Sequence, residues 1–295
     1  MKNTTTATTA PKAAFNRVQA LALASETLTG GTERLEALAA MPGGRGSWAV
    51  MARKFLLFLS TGIPEFTIFA KGNSKLPFSA FSSLPLFDCP GAGACKDFCY
   101  SLTAWRYPAA FFRQLQNSYL LRSEKGKATI TGAFNRLPAG TLRLYVDGDF
   151  FDKATVFFWM ELIGSRPDIQ AYGYSKSWKE LVAAHLSGIA WPANYQLNLS
   201  SGSVHSNVVK ELIKALPIAR GEFIALPIDR VHISNRSYQG PTNPGFPAYQ
   251  KAVQASAEGQ RVFVCKGRCG ACLPSGDHAC GSSKFKGVTI AIGVH

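Results

Sequence analysis

The sequence predicts an α/β protein: a full or partial (β/α) barrel with a small helical N-terminal extension, a doubly wound open sheet being the alternative arrangement. Three observations predict it. From residue 66 onward, short apolar β-rich runs alternate with helical periodicity five or six times, and such β-then-α units give parallel strands with right-handed crossovers. The connections between the units are short. Finally, 46% of the 295 residues are hydrophobic and only 17% are charged, which provides a core for one large domain or two ordinary ones and excludes a disordered chain.

Taken in order, residues 1–13 read as a disordered tail. Helices are expected over AFNRVQALALASETL (14–28), TERLEALAAM (32–41) and, after the PGGRG break, SWAVMARKFLLFLS (47–60). They form the extension, 14–62, ahead of a barrel-like domain, 63–295. In that domain FTIFA (66–70) is the first strand, and a long loop leads to an amphipathic helix at 106–124. Strands at 141–148, 168–175, 195–201 and 222–228 then alternate with helices at 153–164, 178–186 and 207–216. A turn-rich stretch, a helix at 247–258 and strands at 261–265 and 288–294 complete the chain. The helix at 106–124 mixes Arg106, Arg113 and Arg122 with aromatics, but its phasing puts Phe111, Leu115 and Tyr119 on a core stripe, the preferred reading.

Charge narrows the partners. Thirty-two Lys and Arg against eighteen Asp and Glu leave a formal +14, which favours nucleic acid or another polyanion. The most apolar run, 55–70, is too short to span a bilayer and is interrupted by Pro64 and Glu65, so no membrane role is expected. The N-terminus lacks the apolar core of a secretory signal, so the expected location is cytoplasmic. No oxidising compartment then makes disulfides, and seven cysteines in two groups point to metal or redox chemistry.

The first group, CPGAGACKDFCYS (89–101), places Cys89, Cys95 and Cys99 as C-x5-C-x3-C. The second, CKGRCGACLPSGDHAC (265–280), places Cys265, Cys269, Cys272 and Cys280 as C-x3-C-x2-C-x7-C, with His278 as a spare nitrogen. Four thiolates close a zinc site or fully ligate a cluster, whereas three leave one iron of a 4Fe–4S cluster open. An open iron is what S-adenosylmethionine requires. One or two 4Fe–4S clusters are therefore expected, with zinc as the alternative at the second group and a single shared site also open. Lys266, Arg268, Lys284 and Lys286 beside the second group suit phosphate contact, which makes a zinc-ribbon-like nucleic-acid binder the second hypothesis.

Ligands of parallel sheets bind at the carboxyl ends of the strands, where the sequence collects further polar residues. DGDF ends one strand with Asp147 and Asp149, YSKSW ends another with Ser175 and Lys176, and NLSSGS carries Asn198 and Ser200. Asp147, Asp149 and Lys176 are candidate catalytic residues. Asp149, Ser175, Asn198 and Ser200 are candidate cofactor contacts, with Asp149 suited to the cofactor's amino group. Asp152 fits a helix cap better than either neighbouring acid.

These motifs in series resemble the phage gene-product-88 family, found on phages and plasmids. The resemblance rests on NSKLPFSAFSSLP, the CPGA…C-x3-CYS element, YVDGDFFDKATVFFWMELIGSRPDIQAYGYSKSW and the late cysteine cluster before a C-terminal His, over about residues 73–295. It implies a partial (β/α) barrel of the radical S-adenosylmethionine type. By position, Cys89, Cys95 and Cys99 would hold the cluster and DGDF would stand for the Gly-Gly-Glu element, with Asp149 as its acid. The spacing departs from the usual C-x3-C-x2-C of those enzymes, which CKGRCGAC shows instead, and Asp147 stands where the family more often has Ser. The implied function is that of an iron–sulfur protein of a mobile element that cleaves S-adenosylmethionine and acts on an anionic, nucleic-acid-like substrate. The alternative is a zinc- or cluster-stabilised nucleic-acid-binding regulator without catalysis.

Overall fold

The computed structural model describes residues 16–72, 75–97, 99–233, 242–270, 272 and 278–294. The expected tail at 1–13 lies outside them. Three helices open the described chain: α1 (Arg17–Leu28), α2 (Glu33–Ala40) and α3 (Trp48–Thr61). Asn16 and Gln19 form a reciprocal capping box at the start of α1, and Ser47 caps α3 by accepting Val50 N–H. Gly62 ends α3 in a left-handed conformation, φ 72°, that costs glycine no Cβ clash. These helices share the main core, with the ring of Phe55 on α3 lying 5.7 Å from that of Phe112 on α4 (Pro108–Leu121).

One eight-stranded sheet organises the rest. Its strands are β1 (Phe69–Ala70), β2 (Ser79–Phe81), β3 (Gly140–Leu144), β4 (Ile169–Ser175), β5 (Tyr195–Ser200), β6 (Ala219–Pro227), β7 (Phe263–Val264) and β8 (Ile290–Val294), in the order β1-β2-β3-β4-β5-β6-β8-β7. Only β1 runs antiparallel to its neighbour. The connecting helices after α4 are α5 (Glu124–Asn135), α6 (Lys153–Gly164), α7 (Trp178–Leu186), α8 (Asn207–Lys214) and α9 (Phe246–Ser256). The sheet is open, with β1 and β7 as its edges.

Strand alternation gives the sheet two different faces. Leu142, Ala171, Leu197 and Leu199 point into the main core with Phe134, Trp159, Leu181 and Ile213 from the helices. The alternate residues, Tyr172, Tyr174, Phe223 and Ile290, face away from those helices and meet Cys272, Ala279 and Cys280 instead. Helices thus cover one face, and the second cysteine segment covers the other. Among the described residues, no helix is long and apolar enough to cross a membrane.

Several sequence expectations change. FTIFA is not the strand that leads into the first cysteine loop; only Phe69–Ala70 pairs, as an antiparallel edge. Its backbone bonds go to helix α4, because Gln116 accepts the N–H groups of Glu65 and Phe66 and donates to Phe66 O, while Asn117 donates to Ile68 O. The first parallel strand is β2, three residues long. Strand β3 stops at Leu144, short of the expected 148, because Tyr145 adopts φ 54° and turns the chain off the sheet. Tyr119 is 38% exposed, while Phe111 and Leu115 are fully buried, so the α4 stripe holds for two of its three residues. Helix α5 was not anticipated, since Gly126, Gly132 and β-branched residues weaken its signal. The final strands, β7 and β8, are parallel neighbours, with the second cysteine segment lying between them in the chain.

Candidate functional site

The loop after β2 carries the first cysteine group across the carboxyl ends of β4 and β5. Gly93 N–H donates to Gly202 O at 3.1 Å, Val204 N–H donates to Gly91 O at 3.0 Å, and Ala92 bridges Ser203. A Cβ on Gly91 would lie 1.7 Å from Lys176 O, so only glycine permits this approach. Cys89 is half-buried, with Asp149, Asp88 and Cys99 as charge neighbours. Burial first, and then Asp149, push its thiol pKa well above the ordinary value. Cys95 lies on a short 3-10 turn, Ala94–Lys96, and Cys99 immediately precedes another, Tyr100–Arg106.

The strand-end residues prove to be tightly engaged. Asp149 is 4% exposed, and its carboxylate accepts N–H from Phe150 at 2.8 Å, Lys176 at 2.7 Å and Ser177 at 3.2 Å. Burial raises its pKa while these bonds oppose the rise. Asp149 therefore ties the end of β3 to the end of β4, with backbone N–H groups on both of its oxygens. The side chain of Ser175 accepts Ser177 N–H in the same knot. Lys176 Nζ donates to Ser200 Oγ at 2.9 Å. Asp147 takes a bond from Gln114 Nε2 at 2.9 Å, and burial raises its pKa against the pull of Ser101 and Arg143. Asp152 caps α6 by accepting Thr155 N–H, as expected. A pocket of about 220 Å³ opens beside this rim, lined by Ser200, Ser203, His205, Lys210 and Glu222.

Asn198 belongs to the other face. It is fully buried, its amide nitrogen donates to Gly173 O at 3.0 Å and Cys280 O at 2.9 Å, and its Oδ1 accepts Arg220 Nε at 2.6 Å. Around Cys280 stand the other thiols of the second group. Cys265, Cys272 and Cys280 all have Cys269 as a charge neighbour. Gly267 N–H donates to Cys265 at 3.5 Å and Tyr172 O–H to Cys269 at 3.8 Å, Cys272 Sγ donates to Arg268 O at 3.7 Å, and Ala279 and Tyr174 favour the thiolate forms of Cys272 and Cys280. Burial raises the pKa of Cys265 and Cys272, and pushes that of Cys280 up to about 12 against the pull of Tyr174 and Arg220.

The two groups are thus built differently. Donors and guanidinium groups surround the second, a donor set suited to thiolate bound to metal, whereas carboxylates stand beside Cys89 in the first. All seven cysteines are free. Among the described residues, no three or more His, Cys, Asp or Glu side chains already stand at metal-holding distance. Sequence reasoning missed Arg143, Tyr172, Tyr174 and Arg220. The spacing of Tyr172 and Tyr174 on a strand places both rings on one face and was the available signal.

A family model described as Gene product 88 matches residues 65–280, which spans both cysteine groups and the strand-end motifs. No curated protein and no solved structure matches the chain.

Proposed function

The chain belongs to the gene product 88 family, and from that premise we propose that it is an iron–sulfur protein of a mobile genetic element that acts on, or binds, an anionic partner of the nucleic-acid class. The observation that carries this reading is the second cysteine group, where Cys265, Cys272 and Cys280 gather on a sheet face shielded from the helices and Gly267 N–H and Tyr172 O–H donate to Cys265 and Cys269. Cys265, Cys269, Cys272 and Cys280 would hold the centre. With four protein ligands it would have no open position, so it would supply structure or electrons. Tyr172, Tyr174 and the N–H groups of Gly267 and Ala279 would stabilise negative charge on sulfur, which lowers the cost of losing the thiol protons. The +14 charge supports a polyanionic partner, and binding to it should weaken steeply with salt.

A second reading places a radical S-adenosylmethionine-like reaction at the rim, on a partial barrel of that type. Strands β2 to β6, parallel and in chain order, with the three-cysteine loop crossing the carboxyl ends of β4 and β5, favour it. Three thiolates would leave an iron open, and such a cluster, when bound, supplies the electron that cleaves the sulfonium. Asp149 does not fit the amine-receiving role, because its oxygens already accept three backbone N–H groups. Ser200 and Lys176, beside the pocket, are the better-placed contacts.

Anaerobic purification with iron, sulfide and zinc analysis tests the proposal. Brown protein with iron and acid-labile sulfide in cluster ratio supports it. Zinc without sulfide replaces it with the zinc-stabilised binding protein, and metal-free protein overturns both.

A further inference from the structure

We propose that Arg220 and Arg143 are built-in countercharges of the four-cysteine group, which fit this sheet face to a dianionic tetrathiolate centre. The inference rests on the reading that the second group holds a metal. Arg220 is fully buried, and its hydrogen-bond partners are all neutral: Asn198 Oδ1 at 2.6 Å, Val288 O at 2.7 Å, Glu222 O at 3.0 Å and Phe285 O at 3.1 Å. Among the described residues, neither arginine forms an ion pair with a carboxylate. A guanidinium does not lose its proton in a protein, and an unpaired buried charge is costly. A fold that seals one in this way leaves a charge to be balanced, and the group within its electrostatic reach is Cys280, with Tyr174 beside it.

The backbone is shaped to present this cation. The β5–β6 register pairs Leu197 with Ala219 and then Asn198 with Gly221, so Arg220 is the extra residue of a bulge. Alternation from Ala219, which faces the main core, puts Arg220 on the cysteine-bearing face, and the bulge leaves it without a paired residue on β5. Gly221 allows the close approach, since a Cβ there would lie 2.8 Å from Val288 O. Three carbonyls and one amide then fix the fork, so it cannot swing out to solvent.

Arg143 approaches the group from β3. Its guanidinium lies over the Tyr174 ring, 4.9 Å from the centroid, with Cys269, Tyr172 and Tyr100 among its charge neighbours. Asp147 faces it from the rim side without a salt bridge. Its Nε is buried and has no hydrogen-bond partner among the described residues. That donor is what a thiolate or sulfide would accept. The arithmetic closes. Four thiolates around a divalent ion, or around an oxidised 4Fe–4S cluster, carry two net negative charges, and two guanidinium groups cancel them.

The test is Co2+ titration of full-length, metal-stripped, reduced protein under anaerobic conditions, with a competing chelator. Thiolate-to-cobalt charge-transfer bands report sulfur ligation, and thermal melts compare the metal-free and Co2+-loaded forms. Arg220→Met should weaken Co2+ binding about tenfold or more and shrink the metal-induced rise in melting temperature, with Arg220→Lys restoring part of both. A merely structural arginine would lower both melts equally and leave the affinity unchanged, which would overturn the inference. If Arg220→Met does not fold, Arg143→Met carries the same expectations, because its Nε has no bond to lose. Unchanged charge-transfer bands in Cys280→Ser, compared with wild type, would overturn the metal reading itself and are distinguishable from a failed arginine effect.

Discussion

Asn198 grips Arg220: its Oδ1 accepts the guanidinium Nε at 2.6 Å, while its amide nitrogen donates to Cys280 O at 2.9 Å. One neutral side chain thus fixes both the cation and the cysteine it faces. Asn198→Ala would leave Arg220 Nε and two buried carbonyls without this partner, and should cost about 1–3 kcal/mol in chemical denaturation. Wild-type stability in that variant would show that the contact is incidental.

Asp149 is expected to be a fastener. Asp149→Asn would turn an amide N–H towards backbone donors that now converge on a carboxylate, with a loss of about 1–3 kcal/mol and a lower melting temperature. An Asp149→Asn protein that melts like wild type yet loses ligand binding would instead assign the residue to a ligand.

Gly91→Ala should displace the first cysteine loop, since the added methyl would overlap Lys176 O. Alkylation followed by mass spectrometry should find Cys89, now half-buried, reacting faster than in wild type. Equal rates would place the loop elsewhere.

Glu222 provides a pH signature. Burial alone would raise its pKa, but Lys210 at 2.5 Å and Lys214 at 2.8 Å hold it below the ordinary 4.5. A depressed folded-state pKa contributes stability that is present above 4.5 and is lost as pH falls through the lower folded value. Glu222→Gln should therefore flatten the decline of stability below about pH 4.5, by about 1 kcal/mol after allowance for solvent screening. Parallel acid-unfolding curves for the two proteins would contradict this.

Periodicity alone located most elements, and helices α6 and α7 match their expected bounds residue for residue. Where tertiary contacts overrode pattern, the sequence misled. Gln116 and Asn117 look like polar interruptions of an amphipathic helix, yet their amides take over the backbone bonds that would have made FTIFA a strand. The candidate site was legible as a list of cysteines but not as an environment. Nothing local distinguishes Asp149 held by backbone N–H groups from Asp149 waiting for a ligand, because Lys176 and Ser177 approach it from another strand. Arg220 likewise lies outside the strand expected at 222–228, and only the fold shows it fully buried with its Nε on Asn198 Oδ1.

The central claim, that Cys265, Cys269, Cys272 and Cys280 hold a metal centre, is tested most directly by native mass spectrometry of anaerobically purified full-length protein beside its Cys280→Ser and Cys99→Ser variants. The account predicts that the wild-type mass exceeds the chain mass by a metal centre that Cys280→Ser loses while remaining folded and Cys99→Ser retains. A wild-type mass equal to the bare chain, or a Cys280→Ser protein that keeps the full added mass, would contradict it.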